Sequence, residues 1–339
     1  MKGAGRQGAW RMEAAGNRFV VVEEGGLEGE LGRAQRAVEL CADEAWRADG
    51  LLVLGPAAGG RALRMEIYNA DGSRALACGN GLRCAGAWAV ARGVCSPAAE
   101  GGVRRVEVET AAGKRWAEVG VEVAAPAAGP AGPAGPAGPA GPAGSASSAG
   151  EPEPAARPAA WRVRAGLGAV TWERRALPVV LDGAEYSVER LDLANPHAVV
   201  MVDSVVDLPL ARWAREVELS AGVSAGEPGG LRGGLNVEFV ERVPCGPGDL
   251  RLRVHERGVG ETGSCGTGAC AAATVAARHL DLRPPLNMVF PGGTLRVGWE
   301  DGEAWVEGPV RMHSRAGAES LTEGESSVAE QGKEAVWAT

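Results

Sequence analysis

The sequence predicts an α/β (α+β) fold of two related halves, each a group of short strands around one enclosed helix. Three observations carry that reading. Alternating or apolar strand segments recur in both halves, each half then enters a helix that is apolar nearly all round, and a proline-rich segment separates the two.

In the first half, "RFVVVEE", "GLLVLG" and "LRMEIYN" predict strands, and "GELGRAQRAVELCADEAW" (29–46) predicts an amphipathic helix. In the second, "LPVVLDG", "HAVVMVD", "LNVEFVERV" and "LRLRVHE" predict strands, and "DLPLARWAREVEL" (207–219) is the matching amphipathic helix. "LRVGWE", "AWVEG" and "VRMHS" add three more strands at the end. The helices "GLRCAGAWAVARG" (81–93) and "GACAAATVAARHL" (268–280) differ from the amphipathic pair: small and apolar on every side, they suit positions enclosed by sheet. Between the halves, residues 124–159 carry G-P-A triplets with collagen's period, too few for a triple helix, and predict an extended linker. Residues 316–339 are polar and acidic and predict a disordered tail.

Length, charge and cysteine content limit the function classes. At 339 residues the chain is long enough for two modest domains, and 45% hydrophobic residues fit a globular protein. No apolar run approaches a membrane span, so no membrane partner is expected. A net charge of -8 without a compact basic patch argues against nucleic acid and for a small-molecule partner. The start "MKGAGRQGAW" lacks an apolar signal core, and seven cysteines are an odd number; both point to reduced thiols in a cytoplasm. The three lysines, Lys2, Lys114 and Lys333, lie in no setting that suggests a Schiff base to pyridoxal phosphate. The expectation is a site without cofactor.

Each enclosed helix follows a cysteine in a C-G-x-G setting, "ACGNG" at Cys78 and "SCGTG" at Cys265. This repetition suggests an ancient duplication. The first amides of a helix have no internal partners and carry partial positive charge. A thiol there is expected to ionise below the roughly 8.5 of free cysteine. The glycines Gly79, Gly81, Gly266 and Gly268 uncover amides that can hold a carboxylate. Two such mouths across a cleft would put a thiol on each face of an amino acid's α-carbon. One thiolate could remove the α-proton while the opposing thiol supplies another, which is a cofactor-free racemase or epimerase design. Cys41, Cys84, Cys95, Cys245 and Cys270 carry no such setting and fit small buried hydrophobes. The spacings Cys78/Cys84 and Cys265/Cys270 are loose for zinc, and His255-Glu256 lacks the second histidine of a zinc helix because Val259 stands there. No metal is expected.

At these residues the sequence resembles the diaminopimelate epimerase family, pyridoxal-independent enzymes that interconvert LL- and meso-diaminopimelate. "NADGSRALACGNGLRCAG" and "ERGVGETGSCGTGACAAA" match its two cysteine signatures, with "NPHAVV" and "LNVEFV" between them in order. The resemblance covers about residues 10–123 and 160–313. It implies two pseudo-symmetric lobes, 10–123 and 160–302, each a curved mixed sheet around a central helix, with residues 303–313 returning to the first lobe. By position it makes Cys78 and Cys265 the catalytic bases, supported by His197 and Glu256. It also implies that Asn17, Asn69, Gly79, Asn80, Asn195, Asn236, Glu256, Arg257, Gly266 and Thr267 hold the substrate, and it leaves a homodimer open. Its pathway would be lysine and peptidoglycan precursor synthesis.

The sequence departs from the family pattern in the first half. Arg18 replaces an acid in "MEAAGNRF", "AWRADG" is one residue short, Arg74 replaces the acid of "NADGSE", and His255 replaces an aromatic. These changes predict a slower reaction or one tuned to a related substrate. The competing readings are a racemase for another amino acid such as proline, a binding relative without activity, and a thiol-redox protein.

Overall fold

The structure is a computed structural model and describes residues 8–26, 29–58, 62–94, 102–122, 159–173, 176–222, 234–243 and 249–313. The expected tail lies outside the described residues, as does the expected linker apart from Ala159; so do Cys95 and Cys245.

The first repeat runs β1 (Ala9–Ala14), β2 (Asn17–Glu23), α1 (Gly29–Ala42), β3 (Gly50–Pro56), β4 (Leu63–Asn69), β5 (Arg74–Ala75), α2 (Gly79–Ala91), β6 (Arg104–Thr110), β7 (Gly113–Glu122) and β8 (Ala159–Gly168). Two short strands follow, β9 (Thr171–Trp172) and β10 (Leu177–Leu181). The second repeat then runs β11 (Ala184–Asp192), β12 (Pro196–Val202), α3 (Leu210–Ser220), β13 (Asn236–Arg242), β14 (Asp249–Glu256), β15 (Gly260–Glu261), α4 (Gly266–His279), β16 (Leu286–Phe290), β17 (Gly293–Glu300) and β18 (Glu303–Met312).

The pairings repeat along with the order. The strands flanking α1 are parallel neighbours, β2 with β3, and so are those flanking α3, β12 with β13. Helices α2 and α4 likewise connect parallel pairs, β4 with β6 and β14 with β16. In the first lobe the ring β1-β2-β3-β4-β6-β7-β8-β18 closes on itself around α2. In the second, β11, β12, β13, β14, β16, β17 and β18 wrap α4. The fold is therefore α+β with two pseudo-symmetric lobes of mixed sheet, each around a central helix.

The last strands of the two repeats pair with each other. β18 runs beside β17 over Glu303–Glu307 and beside β1 over Val310–Met312, with β8 along its other edge. The sequence reads this strand as two pieces, "AWVEG" and "VRMHS"; it is continuous through Pro309, which lies beyond the β17 pairing and takes only the β8 edge. β8, which the sequence boundary at 160 places in the second lobe, pairs with β7 and packs on α2. The two lobes thus share a seam of two long strands.

Both central helices begin two residues earlier than their apolar patterns suggest, because the glycine pair after each cysteine lies in the first turn. Their small side chains admit sheet on every side. A methyl on Gly86 would overlap Ala117 of β7, and Ala269, Ala271, Ala272, Ala273 and Ala276 of α4 are all fully buried. Trp88 fills the first barrel, its ring 5.7 Å from that of Trp10 in an edge-to-face arrangement. α3 is amphipathic as expected, burying Leu210, Ala214 and Val217 at helical spacing against β10. Among the described residues no helix is long and apolar enough to cross a membrane.

Candidate active site

Cys78 and Cys265 occupy the same structural position. Each is the residue before its helix, in extended conformation, and its sulfur accepts the amide of the residue three further on: Gly81 N–H to Cys78 Sγ and Gly268 N–H to Cys265 Sγ, both 3.3 Å. The thiols stand where serine or aspartate usually caps a helix. None of Gly79, Gly81, Gly266 and Gly268 has a positive φ; all four serve close approach instead. A Cβ on Gly266 would lie 2.9 Å from the Gly79 Cα, so the two helix mouths meet backbone to backbone.

Both thiols open onto one cavity of about 350 Å³ between the lobes. It is lined by Asn17, Asn69, Cys78, Gly79, Asn80, Asn195, Asn236, Glu256, Arg257, Cys265, Gly266 and Thr267, which brings together every nominated residue except His197. The elements explain the convergence. Asn17 and Asn236 start β2 and β13, Asn69 and Glu256 end β4 and β14, and Asn195 follows Ala194, whose φ of 61° turns the chain between β11 and β12.

Several of these side chains tie the lobes together. The side-chain amides of Asn17 and Asn80 each donate to the Ser264 carbonyl at 3.2 Å, and Asn80 also reaches the Ser264 hydroxyl at 3.0 Å. That hydroxyl donates to the Ala15 carbonyl at 2.6 Å. Asn195 donates to the Ala77 carbonyl at 3.3 Å, and Asn236 Oδ1 accepts the Arg257 amide at 2.9 Å.

Burial decides the charge state of the thiols. It pushes Cys78 up to about 11, against the pull of the Gly81 amide, with Glu256 adding to the rise and Arg83 opposing it. Cys265 is pushed well above the usual thiol range, first by burial and then by Glu256 and Glu238, while the Thr267 hydroxyl and Gly268 amide pull it back. The helix mouths therefore lower both thiols as the sequence suggests, but desolvation outweighs them. Glu256 is raised by its own burial, against a hydrogen bond of 2.5 Å from the Thr262 hydroxyl.

His197 is fully buried and is not among the residues lining the cavity; its Nδ1 lies 2.8 Å from Glu238 Oε1. Sequence reasoning misses Glu238, Arg83 and Ser264. Arg83 is completely buried on α2, bonded to Asn80 Oδ1 and the Pro309 carbonyl, and no carboxylate among the described residues pairs with it. Burial lowers it to about 10. A signal for both charged residues was present: each is the one Asp, Glu, Lys or Arg in a continuously buried run, α2 from Gly79 to Ala89 and β13 from Asn236 to Val240. Among the described residues no cluster of three or more His, Cys, Asp or Glu could hold a metal.

A family profile for diaminopimelate epimerase matches residues 9–131 and 191–313, the two repeats together. The chain belongs to the diaminopimelate epimerase family. A diaminopimelate epimerase of Halorhodospira halophila is 32% identical over 311 residues, covering 89% of this chain and 91% of that one. An O-ureido-serine racemase of Streptomyces lavendulae is 33% identical over 310 residues, covering 87% and 89%. Among solved structures, a hydroxyproline epimerase from Agrobacterium vitis superposes with a TM-score of 0.56 at 16% identity, over 90% of this chain and 88% of that one. A phenazine biosynthesis protein from Bacillus anthracis superposes with a TM-score of 0.59 at 12% identity, over 90% and 96%. These last two share the fold.

Of this family member's two added arginines, Arg74 lines the cavity and comes within 3.9 Å of Glu66, whereas Arg18 does not line it. The short "AWRADG" loop contributes Asp49 and Gly50 to the cavity wall, and the Arg18 amide donates to the Asp49 carboxylate at 2.8 Å.

Proposed function

We propose that this chain is a cofactor-independent epimerase that interconverts LL- and meso-2,6-diaminopimelate with Cys78 and Cys265 as its two bases. The observation that carries the proposal is the pair of equivalent helix-mouth thiols opening onto a single cavity. A substrate α-carboxylate lies at the touching mouths, where the amides of Gly79, Asn80, Gly266 and Thr267 supply donors. One thiolate takes the α-proton, and the electron pair of the C–H bond spreads into the carboxylate. The opposite thiol then gives its proton to the other face of the α-carbon, inverting it. Glu256 and His197 support the thiols. Converging amides stabilise the developing charge without a carbonyl cofactor.

The cavity wall also favours a second amino-acid head group. It carries both signs of charge, Arg74 and Arg257 against Asp49, Asp71 and Glu256, alongside the amides of Asn69, Asn195 and Asn236. A distal carboxylate and ammonium can both be paired there. The likeness to the O-ureido-serine racemase supports a second reading, a racemase for another amino acid, with Arg74 among the altered wall residues.

The test is α-proton exchange in deuterium oxide followed by NMR, without pyridoxal phosphate. It compares LL-diaminopimelate, O-ureido-serine and proline for the wild type, Cys78→Ser and Cys265→Ser. Exchange with inversion of diaminopimelate, crippled in both variants, is the expected result. Exchange into another amino acid alone would keep the two-thiol chemistry and change the substrate. Exchange into none would reject the enzyme reading.

A further inference from the structure

Glu238 and His197 form a sealed pair. Both side chains are 0% exposed, joined by the 2.8 Å contact between His197 Nδ1 and Glu238 Oε1. Among the described residues, neither His197 Nε2 nor Glu238 Oε2 has a hydrogen-bond partner. β12 and β13 are parallel here, with His197 opposite Asn236, so histidine and glutamate sit close along adjacent strands. Burying two ionisable groups in a sheet interior is costly and calls for a local reason.

The reason lies at the mouth of α4. A methyl on Gly268 would overlap Glu238 Oε1 and lie 3.0 Å from its Cδ. The glutamate carboxyl is therefore pressed against Gly268, the same residue whose amide donates to Cys265 Sγ. The first repeat differs. At Gly81, the atoms nearest to an added methyl belong to Leu52 and Cys78 rather than to a carboxyl. The buried charge on the Cys78 side is instead the cation Arg83.

We infer that Glu238 is a positioning residue for Cys265: held by His197, its carboxyl lies behind the α4 mouth and biases Cys265 toward the protonated thiol, so that Cys265 enters the resting cycle as proton donor. The inference rests on the two-thiol reading proposed above. The groups facing Cys265 are Thr267 and the Gly268 amide on α4, Glu238 with His197 behind it on β13 and β12, Glu256 on β14, and Cys78 on the same cavity. Of these, the two carboxyls oppose a thiolate at Cys265. Glu256 lines the cavity, whereas Glu238 is sealed from it, so its field at Cys265 persists whether or not substrate is bound.

The experiment is alkylation of the full-length chain by iodoacetamide across a pH series. Labelling of Cys78 and Cys265 is followed separately by mass spectrometry of their peptides, for wild type, Glu238→Gln and Glu238→Asp. Removing a neighbouring negative charge shifts a pKa by about one unit or more. In Glu238→Gln, Cys265 labelling should move to lower pH and become about tenfold faster below its midpoint, with Cys78 unmoved. Glu238→Asp keeps the charge but withdraws it by one methylene, so its profile should fall between the other two. That variant also decides the matter if the glutamine variant does not fold. An unchanged Cys265 profile, or equal shifts at both thiols, would overturn the inference. The readout needs no substrate; failure of the epimerase reading would appear separately, as absent α-proton exchange in the wild type.

Discussion

Substituting Gly266 by alanine should damage turnover far more than stability. The added methyl would sit 2.9 Å from the Gly79 Cα, short of the optimal carbon contact of roughly 3.5–4.0 Å by about 0.6 Å at least. The neighbour is backbone, so no rotamer change relieves the overlap and the two helix mouths must part. Gly266 has no positive φ, so alanine fits the local conformation and restricts the unfolded chain, which stabilises by about 0.4–1 kcal/mol. Overpacking costs roughly 1–3 kcal/mol. The net loss is therefore about 2.5 kcal/mol at most, leaving a folded chain. A misplacement of the order of 1 Å between reacting groups costs roughly 100-fold in rate. The expected result is a fall of about 10- to 100-fold in kcat for α-proton exchange, with a modest drop in Tm. Gly32→Ala is the control: it lies in α1 with nothing within 4 Å of the added methyl, and should leave kcat near wild type and raise Tm slightly. A Gly266→Ala variant that keeps more than half the wild-type kcat would refute the claim that close contact of the mouths sets the site geometry.

Further outcomes follow from the same structure. Arg83→Met removes the buried cation that favours a thiolate at Cys78, so iodoacetamide labelling of Cys78 at a fixed pH should slow, and a faster rate would contradict the role given to Arg83. Trp88→Ala empties the centre of the first barrel and should cost about 3–5 kcal/mol in urea unfolding; a loss below about 1 kcal/mol would mean the barrel collapses to fill the space. Because burial raises both thiols, the reactive thiolate grows as pH rises: kcat/KM should climb by up to about tenfold per unit through neutral pH and fall only when the second thiol ionises. A profile flat through neutrality would indicate a thiolate already formed there.

The duplication and the central helices were legible in the sequence because enclosure leaves a compositional mark. A helix with Gly, Ala and Cys on every face has no solvent side, and both copies follow the same C-G-x-G step. Strands with plain alternation were equally legible, such as β4 and β14, as was the continuous apolar run of β3. Others were not. β7 scatters its charges among small and apolar residues, and β11 mixes exposed and half-buried positions, so local pattern alone does not mark them. The seam of β8 and β18 is not marked by local pattern, because which repeat a strand joins depends on long-range pairing and β18 joins both; the return of residues 303–313 to the first lobe came from the family resemblance alone. At the site, the residues lining the cavity sit in short motifs at element ends, where sequence carries most information. His197 and Glu238 lie within buried strands, where a side chain's neighbour across the sheet is set by register.

Register also explains how a duplicated scaffold can hold two unlike thiols. The backbone repeat gives Cys78 and Cys265 the same cap geometry and the same glycine amide at 3.3 Å, so geometry alone would leave them interchangeable. A proton relay across one carbon needs one group charged and its counterpart neutral at each moment. Two identical environments would give the same affinity for a proton at both sites, and the productive singly protonated form would carry its proton on either sulfur equally. Here the surroundings break that tie from behind: a buried arginine on the Cys78 side, a buried glutamate–histidine pair on the Cys265 side, neither exposed to solvent. Low-dielectric surroundings make such fixed charges act strongly over short range. In the proposed two-thiol mechanism, symmetry of the backbone would supply the two-sided grip on the α-carbon, and asymmetry of three buried side chains would supply the direction of the first proton.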